Sequence, residues 1–247
     1  MSRHSDRSRA LKASVIGARR LTPLVRDEMY ALFARHYVAT SRPQFDDDLA
    51  AKDHVVVLHD AAGRLRGFST LAVSTMTLTG RVVRIVFSGD TIIDPQSWGS
   101  PEFAFAWLRA VGRLAAEKPE LPLYWLLIVK GHRTYRFMPA FGLRFVPDWR
   151  QPDDASLTAL KDEIAQRYFG SAYDPSSGIV ACDTPRGYLV PELAIPSDRE
   201  RARADVRFFL ERNPGYTKGD ELVCLCALQV ENMRPLTQRL FLQGFTG

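Results

Sequence analysis

Between residues 54 and 93, three apolar, β-branched segments follow one another with connections too short for anything but hairpins. "HVVVLHD" runs into the Gly-containing turn "AAGRL", then into "LRGFSTLAVSTMTLTG", where Gly80 turns the chain into "RVVRIVFSGDTIID". Such links join antiparallel neighbours, so the segment predicts three consecutive antiparallel strands.

The flanks read as helices. In "TPLVRDEMYALFARHYV", Thr22 can cap, Pro23 suits the first helical position, and Leu24, Met29, Leu32, Phe33 and Tyr37 form a stripe. "PQFDDDLAAK" reads as a loop with a short helical turn. Beyond the third strand, "DPQSWGSP" leads into "PEFAFAWLRAVGRLAAEK", a helix with one broad buried face. "LPLYWLLIVKG" is apolar on both faces, as a central strand should be. "HRTYRFMPAF" is a helix shortened or bent near Pro139, and "GLRFVPDW" another strand.

Further on, "ASLTALKDEIAQRYFG" predicts a helix ending at Gly170, and Ser197 with Glu200 a capping box before "RERARADVRFFLERN". "ELVCLCALQV" is apolar on both faces and so belongs inside the main sheet. The expected fold class is α/β (α+β), a mixed, mostly antiparallel twisted sheet flanked by helices. It forms one domain over residues 21–247, with a helical insertion at about 150–220.

The composition, 46% apolar and 25% charged, is that of a soluble globular chain. The longest apolar stretch, Leu123 to Val129, is too short to span a bilayer. Cys182, Cys224 and Cys226 fit a reducing compartment and lack zinc-site spacing; with no signal-peptide pattern, the expected location is cytoplasmic. The formal charge of +5 resides in residues 1–20, where Arg3, Arg7, Arg9, Lys12, Arg19 and Arg20 face Asp6 alone. The remainder is neutral, which argues against a nucleic-acid-binding body. Residues 1–20 read as a flexible basic tail, with a transit peptide the other reading.

This order of elements, with a turn and helix after the third strand and a late returning strand, resembles the GNAT acyltransferase superfamily. The likeness covers about residues 20–148 plus the last strand. That family's turn commonly reads Q/R-x-x-G-x-G/A. Here Gln96, Ser97, Trp98, Gly99, Ser100 and Pro101 match the Gln and the first Gly, with Pro101 in place of the final small residue. The resemblance implies a backbone nest and helix N-terminus for the diphosphate of an acyl carrier, with Ile92 and Ile93 beside the pantetheine arm. In "AFGLRFVP", Gly142-Leu143 stands at the family's Gly-Phe and Met138 at its Tyr, which often protonates the leaving thiolate.

The implied chemistry is attack of an amine on a thioester, needing a base, an oxyanion donor and a proton for sulfur. The family's oxyanion donor is largely a backbone N–H of the third strand. Asp90 is the first candidate base, and strand alternation places it on one face with Arg84, Val86 and Ser88; the alternative is a solvated strand end. His132 is the second candidate, otherwise a surface helix-start residue. Tyr135 can replace the missing Tyr as acid, or else pack in the core. Lys130, Arg133 and Arg136 form a basic cluster for CoA phosphates or the acidic helix of an acyl carrier protein, or simply a solvated face.

The expected activity is transfer of an acyl group from acyl-CoA or acyl-phosphopantetheine to a small-molecule amine, without a metal. Aromatic residues of the insertion (Tyr168, Phe169, Tyr173, Tyr188, Phe208, Phe209) suggest a covered pocket like that of N-acyl amino acid and acyl-homoserine-lactone synthases. The alternative is a catalytically degenerate GNAT-like module that holds a thioester or carrier protein. A third is partner or nucleic-acid binding through the Arg-rich tail.

Overall fold

The computed structural model describes residues 10–181 and 187–246. In chain order the elements are β1 (Lys12–Gly17), α1 (Pro23–His36), β2 (Tyr37–Val38), α2 (Arg42–Ala50), β3 (His54–His59), β4 (Leu65–Leu78), β5 (Arg81–Ile93), α3 (Glu102–Glu117) and β6 (Leu123–Val129). Next come α4 (His132–Tyr135), α5 (Phe137–Phe141), β7 (Phe145–Val146), α6 (Ala155–Phe169), β8 (Tyr173–Asp174), β9 (Ile179–Val180) and β10 (Tyr188–Leu189). The last are α7 (Pro191–Ala194), α8 (Asp198–Arg201), α9 (Ala204–Arg212), β11 (Glu221–Ala227) and α10 (Pro235–Gln243).

The sheet runs β1-β3-β4-β5-β6-β11-β9-β8, with β7 also beside β11 and a separate β2–β10 pair. Among the described residues only β5 and β6 run parallel, joined by α3 as the crossover. The fold is therefore the mixed, mostly antiparallel α/β class, and the doubly apolar β11 does return inside the sheet, next to β6. One sheet face, with Val56, Leu71, Val86, Trp125 and Leu127, packs under α3 and α10. The other carries Val55, Phe68 and Ile92 beneath α1 and α2, then Ile85, Leu126 and Val223 beneath α6.

Local signals explain most boundaries. The Val25 N–H donates to Thr22 Oγ1 at 3.3 Å at the start of α1. Asp154 Oδ1 accepts from the N–H groups of Ser156 and Leu157 at the start of α6, and Gly170, at φ +55°, ends it. α3 is apolar over more than one stripe because it lies between the sheet and α10. A Cβ on Gly112 would come within 2.0 Å of the Phe241 carbonyl.

Several expectations need correction. The basic tail does not extend to residue 20: Lys12–Gly17 is an edge strand paired antiparallel with β3 from Lys12↔His59 to Gly17↔His54. Residues 1–9 of that tail, and Cys182, lie outside the described residues. "RPQFDDDLA" is a full helix, started by the Ser41 cap and held by an Arg42–Asp46 ion pair at 2.6 Å. The helix after the capping box breaks at Arg203, which is extended and bound to Asp205. The insertion is not only helical, because β8 and β9 extend the sheet past β11 and β10 pairs with β2. Among the described residues, no helix is long and apolar enough to cross a membrane.

Candidate functional site

Two irregularities open the sheet. β5 and β6 are in register from Arg84↔Leu123 to Ser88↔Leu127, yet β5 continues to Ile93 and β6 to Val129. Beyond Ser88 the two parallel strands leave a gap. The second irregularity is a β-bulge at the same level. Ser69 pairs with Thr91 and Leu71 with Ser88, so Gly89 and Asp90 together oppose the single residue Thr70.

A bulge re-aims the side chains beyond it. Ser88 and Ile92 are four residues apart and unbroken pleating would put them on one face. Instead Ser88 accepts from Trp125 Nε1 at 2.9 Å on the α3 side, and Ile92 joins the cluster beneath α1. The expected sharing of one face by Ser88 and Asp90 is therefore overturned. Asp90 lies within electrostatic reach of Lys130, Lys52 and Asp48 instead.

A cavity of about 580 Å³ occupies this gap. On the α1 side its wall includes Tyr37, Phe45, Lys52, Phe87, Asp90 and Glu221; on the α3 side, Ser97 to Ser100, Phe103, Ala104, Arg133 and Phe137. It thus joins the two faces of the sheet through the opening between β5 and β6.

On the α3 side lies the turn between β5 and α3. Asp94 Oδ1 accepts from the Gln96 N–H at 3.0 Å, a short 3-10 turn covers Pro95–Ser97, and Gly99 takes φ +87°. The N–H groups of Trp98 and Ser100 are used inside the turn, and that of Glu102 meets Ser100 Oγ. Among the described residues, no protein group accepts from the N–H of Gly99, Phe103 or Ala104. Unpaired amides at a helix start can hold an anion. Pro101, which has no N–H, sits outside this set as the residue before Glu102. Trp98 Nε1 donates to the Ile93 carbonyl at 2.8 Å, fastening the turn to β5.

The cofactor-side residues separate accordingly. Ile92, Ile93, Ser97, Trp98, Gly99, Ser100 and Arg133 all line the cavity, whereas Gln96 is exposed and does not. Lys130 and Arg136 also line it. Lys130 sits 3.7 Å from Glu221, Arg136 3.7 Å from Asp205, and Arg133 binds Glu200 at 2.8 Å, so the expected basic cluster is spread along the wall and matched by carboxylates.

Of the three expected reaction residues, only Asp90 reaches the cavity. Burial raises its pKa above the ordinary carboxylate range, against the charges of Lys130 and Lys52 and with that of Asp48. His132 is 1% exposed and off the cavity wall. Its Nε2 meets Glu200 Oε1 at 3.3 Å, and burial lowers its pKa, with the Glu200 bond opposing. Neutral His132 then donates through Nε2, leaving Nδ1 without a partner among the described residues. Tyr135 is 0% exposed, packed against Phe208 and Phe209, and its hydroxyl donates to the Pro147 carbonyl at 2.8 Å. α4 thus turns both side chains away from the cavity wall, Tyr135 against Phe208 and Phe209 of α9 and His132 towards Glu200.

The expected aromatic cover is partial. Tyr168 and Phe169 line the cavity and Tyr173, Tyr188, Phe208 and Phe209 do not. Cys224 and Cys226 are buried in β11, with both thiol pKa values pushed up by burial. Among the described residues, no group of three or more His, Cys, Asp or Glu side chains could hold a metal ion.

No protein-family model matches the sequence, and no curated protein is similar to it in sequence. Solved structures do overlap with it. A conserved Enterococcus faecalis protein described as a probable N-acyltransferase shares 13% identity over 55% of this chain and 33% of its own, with a TM-score of 0.41. A GNAT family N-acetyltransferase of Escherichia coli in complex with CoA shares 16% identity over 54% of this chain and 71% of its own, at 0.38. An acyl-CoA N-acyltransferase of Pseudomonas aeruginosa shares 16% identity over 55% of this chain and 91% of its own, at 0.39. The chain thus spans a third of the Enterococcus protein and most of the other two.

Proposed function

We propose that this chain is an acyltransferase that moves an acyl group from a CoA thioester to an amine. The observation that carries this reading is the cavity at the β5–β6 gap, whose wall holds three unpaired amides and the half-buried carboxylate of Asp90. A thioester entering from α3 would rest its diphosphate on the N–H groups of Gly99, Phe103 and Ala104. Its arm would run beside Ile92 and Ile93, the path the sequence resemblance implies. A neutral amine entering from α1 would meet Asp90, whose raised proton affinity suits it to accept a proton from the attacking nitrogen. The nitrogen then attacks the thioester carbon. The developing oxyanion would fall beside β5, the strand whose backbone N–H the sequence resemblance implies as its donor.

The sequestered hydroxyl of Tyr135 favours a second reading, a module that binds the thioester without turning it over. One experiment separates the two. The full chain is incubated with CoA and with C2 to C16 acyl thioesters, carried on CoA or on an acyl carrier protein, and with a panel of amines. Both melting temperature and free thiol are followed. Stabilisation with thiol release supports the enzyme, and release from the protein-bound donor alone assigns the carrier. Stabilisation without release supports the module. No stabilisation and no release overturns both.

A further inference from the structure

With Tyr135 committed to Pro147, the departing sulfur needs another proton donor. The cavity wall holds two phenols, Tyr37 and Tyr168. The Tyr168 hydroxyl is bonded to Ser74 Oγ at 2.7 Å. The Tyr37 hydroxyl makes no hydrogen bond to a protein group among the described residues. Its ring is held in place, stacked on Phe33 at 4.8 Å and 13°, with Lys130 Nζ 5.6 Å from the ring centroid. β2, which carries it, is pinned to β10 through Tyr188↔Val38 and Leu189↔Tyr37.

These neighbours locate the phenol over the gap. Lys130 comes directly after the last residue of β6, and Asp90 belongs to the bulge of β5. Tyr37 senses Asp90 and Glu221 electrostatically; with burial first, both keep its hydroxyl protonated. It is a held, protonated O–H without a protein hydrogen bond among the described residues, on the wall of the same cavity as the carboxylate that would take the amine's proton.

We propose that Tyr37 is the general acid of this site, donating its phenolic proton to the thiolate as the tetrahedral intermediate collapses. This rests on the acyl-transfer reading above. The step balances. Asp90 accepts a proton from the attacking amine, the new C–N bond forms, and the C–S bond breaks with its electron pair on sulfur. Tyr37 O–H protonates that sulfur, and the phenolate recovers a proton from Asp90. Amine and thioester become amide and thiol, and both side chains return to their starting states.

The test compares two thioesters of one acyl group, an acyl-CoA and an arylthiol ester whose thiolate departs unprotonated, with the amine that wild type uses fastest. Tyr37→Phe keeps the ring, so its melting temperature should match wild type. With acyl-CoA its kcat should fall about 100-fold at unchanged KM, the scale of a lost general acid. With the arylthiol ester it should stay within a few-fold of wild type. An equal loss with both esters, or no loss with either, overturns the assignment, as does a leaving-group-dependent loss in Tyr135→Phe. Absence of thiol release by wild type from both esters overturns the acyl-transfer reading itself, and this one with it.

Discussion

The Arg133 guanidinium lies 4.6 Å from the centroid of the Trp98 ring. It is held there from the insertion side, by Glu200 Oε1 at 2.8 Å and by the Leu193 carbonyl at 2.8 Å. The insertion thus braces the turn that presents the unpaired amides. A cation–π contact of this kind contributes about 0.5–1 kcal/mol and the Trp98–Ile93 hydrogen bond about 1 kcal/mol. Trp98→Ala should therefore weaken CoA binding roughly tenfold with little change in global stability. Calorimetric titration with CoA checks this, and unchanged affinity would remove the turn from the binding site.

Glu200 ties the same brace to pH. Its pKa is held down at about 2: burial opposes ionisation, but bonds from the Ser197 N–H, Ser197 Oγ and His132 and the charge of Arg133 outweigh it. A carboxylate lowered in the fold stabilises above its ordinary pKa of about 4.3 and loses that contribution as pH falls towards about 2. Glu200→Gln should cost about 1 kcal/mol, the screened value for a partly exposed pair. That gap should be constant above about pH 5 and close below it. His132, lowered by burial, acts in a separate window, destabilising the fold as pH drops below about 6.5. Urea melts of both proteins from pH 3 to 8 resolve the two.

The sheet was legible because its signals are local. Gly80 and the "AAGRL" turn fix the hairpins, and β11 announces its central place by being apolar on both faces. The cavity wall was legible only where chemistry coincides with a motif, at Ser97 to Ser100 and at Asp90. Tyr37 and Lys52 reach the cavity from the ends of α1 and α2, and nothing in "HYVAT" or "AAKDH" says which sheet gap they will cover. The placement of His132 and Tyr135 off the cavity wall was not legible, because helical spacing gives a common face without saying whether that face meets a cavity or a core. The bulge at Gly89–Asp90 was hidden too, since period-2 alternation assumes an unbroken ladder.

α3 depends on a close approach. Its Gly112 faces the Phe241 carbonyl, where a Cβ would sit at 2.0 Å, and Gly244 approaches the Arg109 carbonyl in the same contact. Backbone cannot yield as a flexible side chain does, so Gly112→Ala must push α10 away from α3. Such overpacking costs about 1–3 kcal/mol. The melting temperature should fall accordingly, and CoA affinity should fall with it if α3 carries the amides.

Asp90 sets stability against activity. Burial holds its proton more tightly than in an unfolded chain. As pH rises from about 3.9 through the raised value, the unfolded state ionises first, so native stability falls across that window. Above it, the full penalty for a buried charge remains. Asn carries no such penalty and keeps the shape. Asp90→Asn should therefore melt at a higher temperature than wild type at pH 7, with the difference vanishing below about pH 3.9. The same variant should lose about 10²–10⁴-fold in kcat/KM, the range for a general base, together with the acidic limb of the wild-type pH–rate profile. A stabilised variant with full activity would leave Asp90 as a strained wall residue and require another base. A destabilised one would mean that Lys52 and Lys130 need its charge more than the cavity resists it.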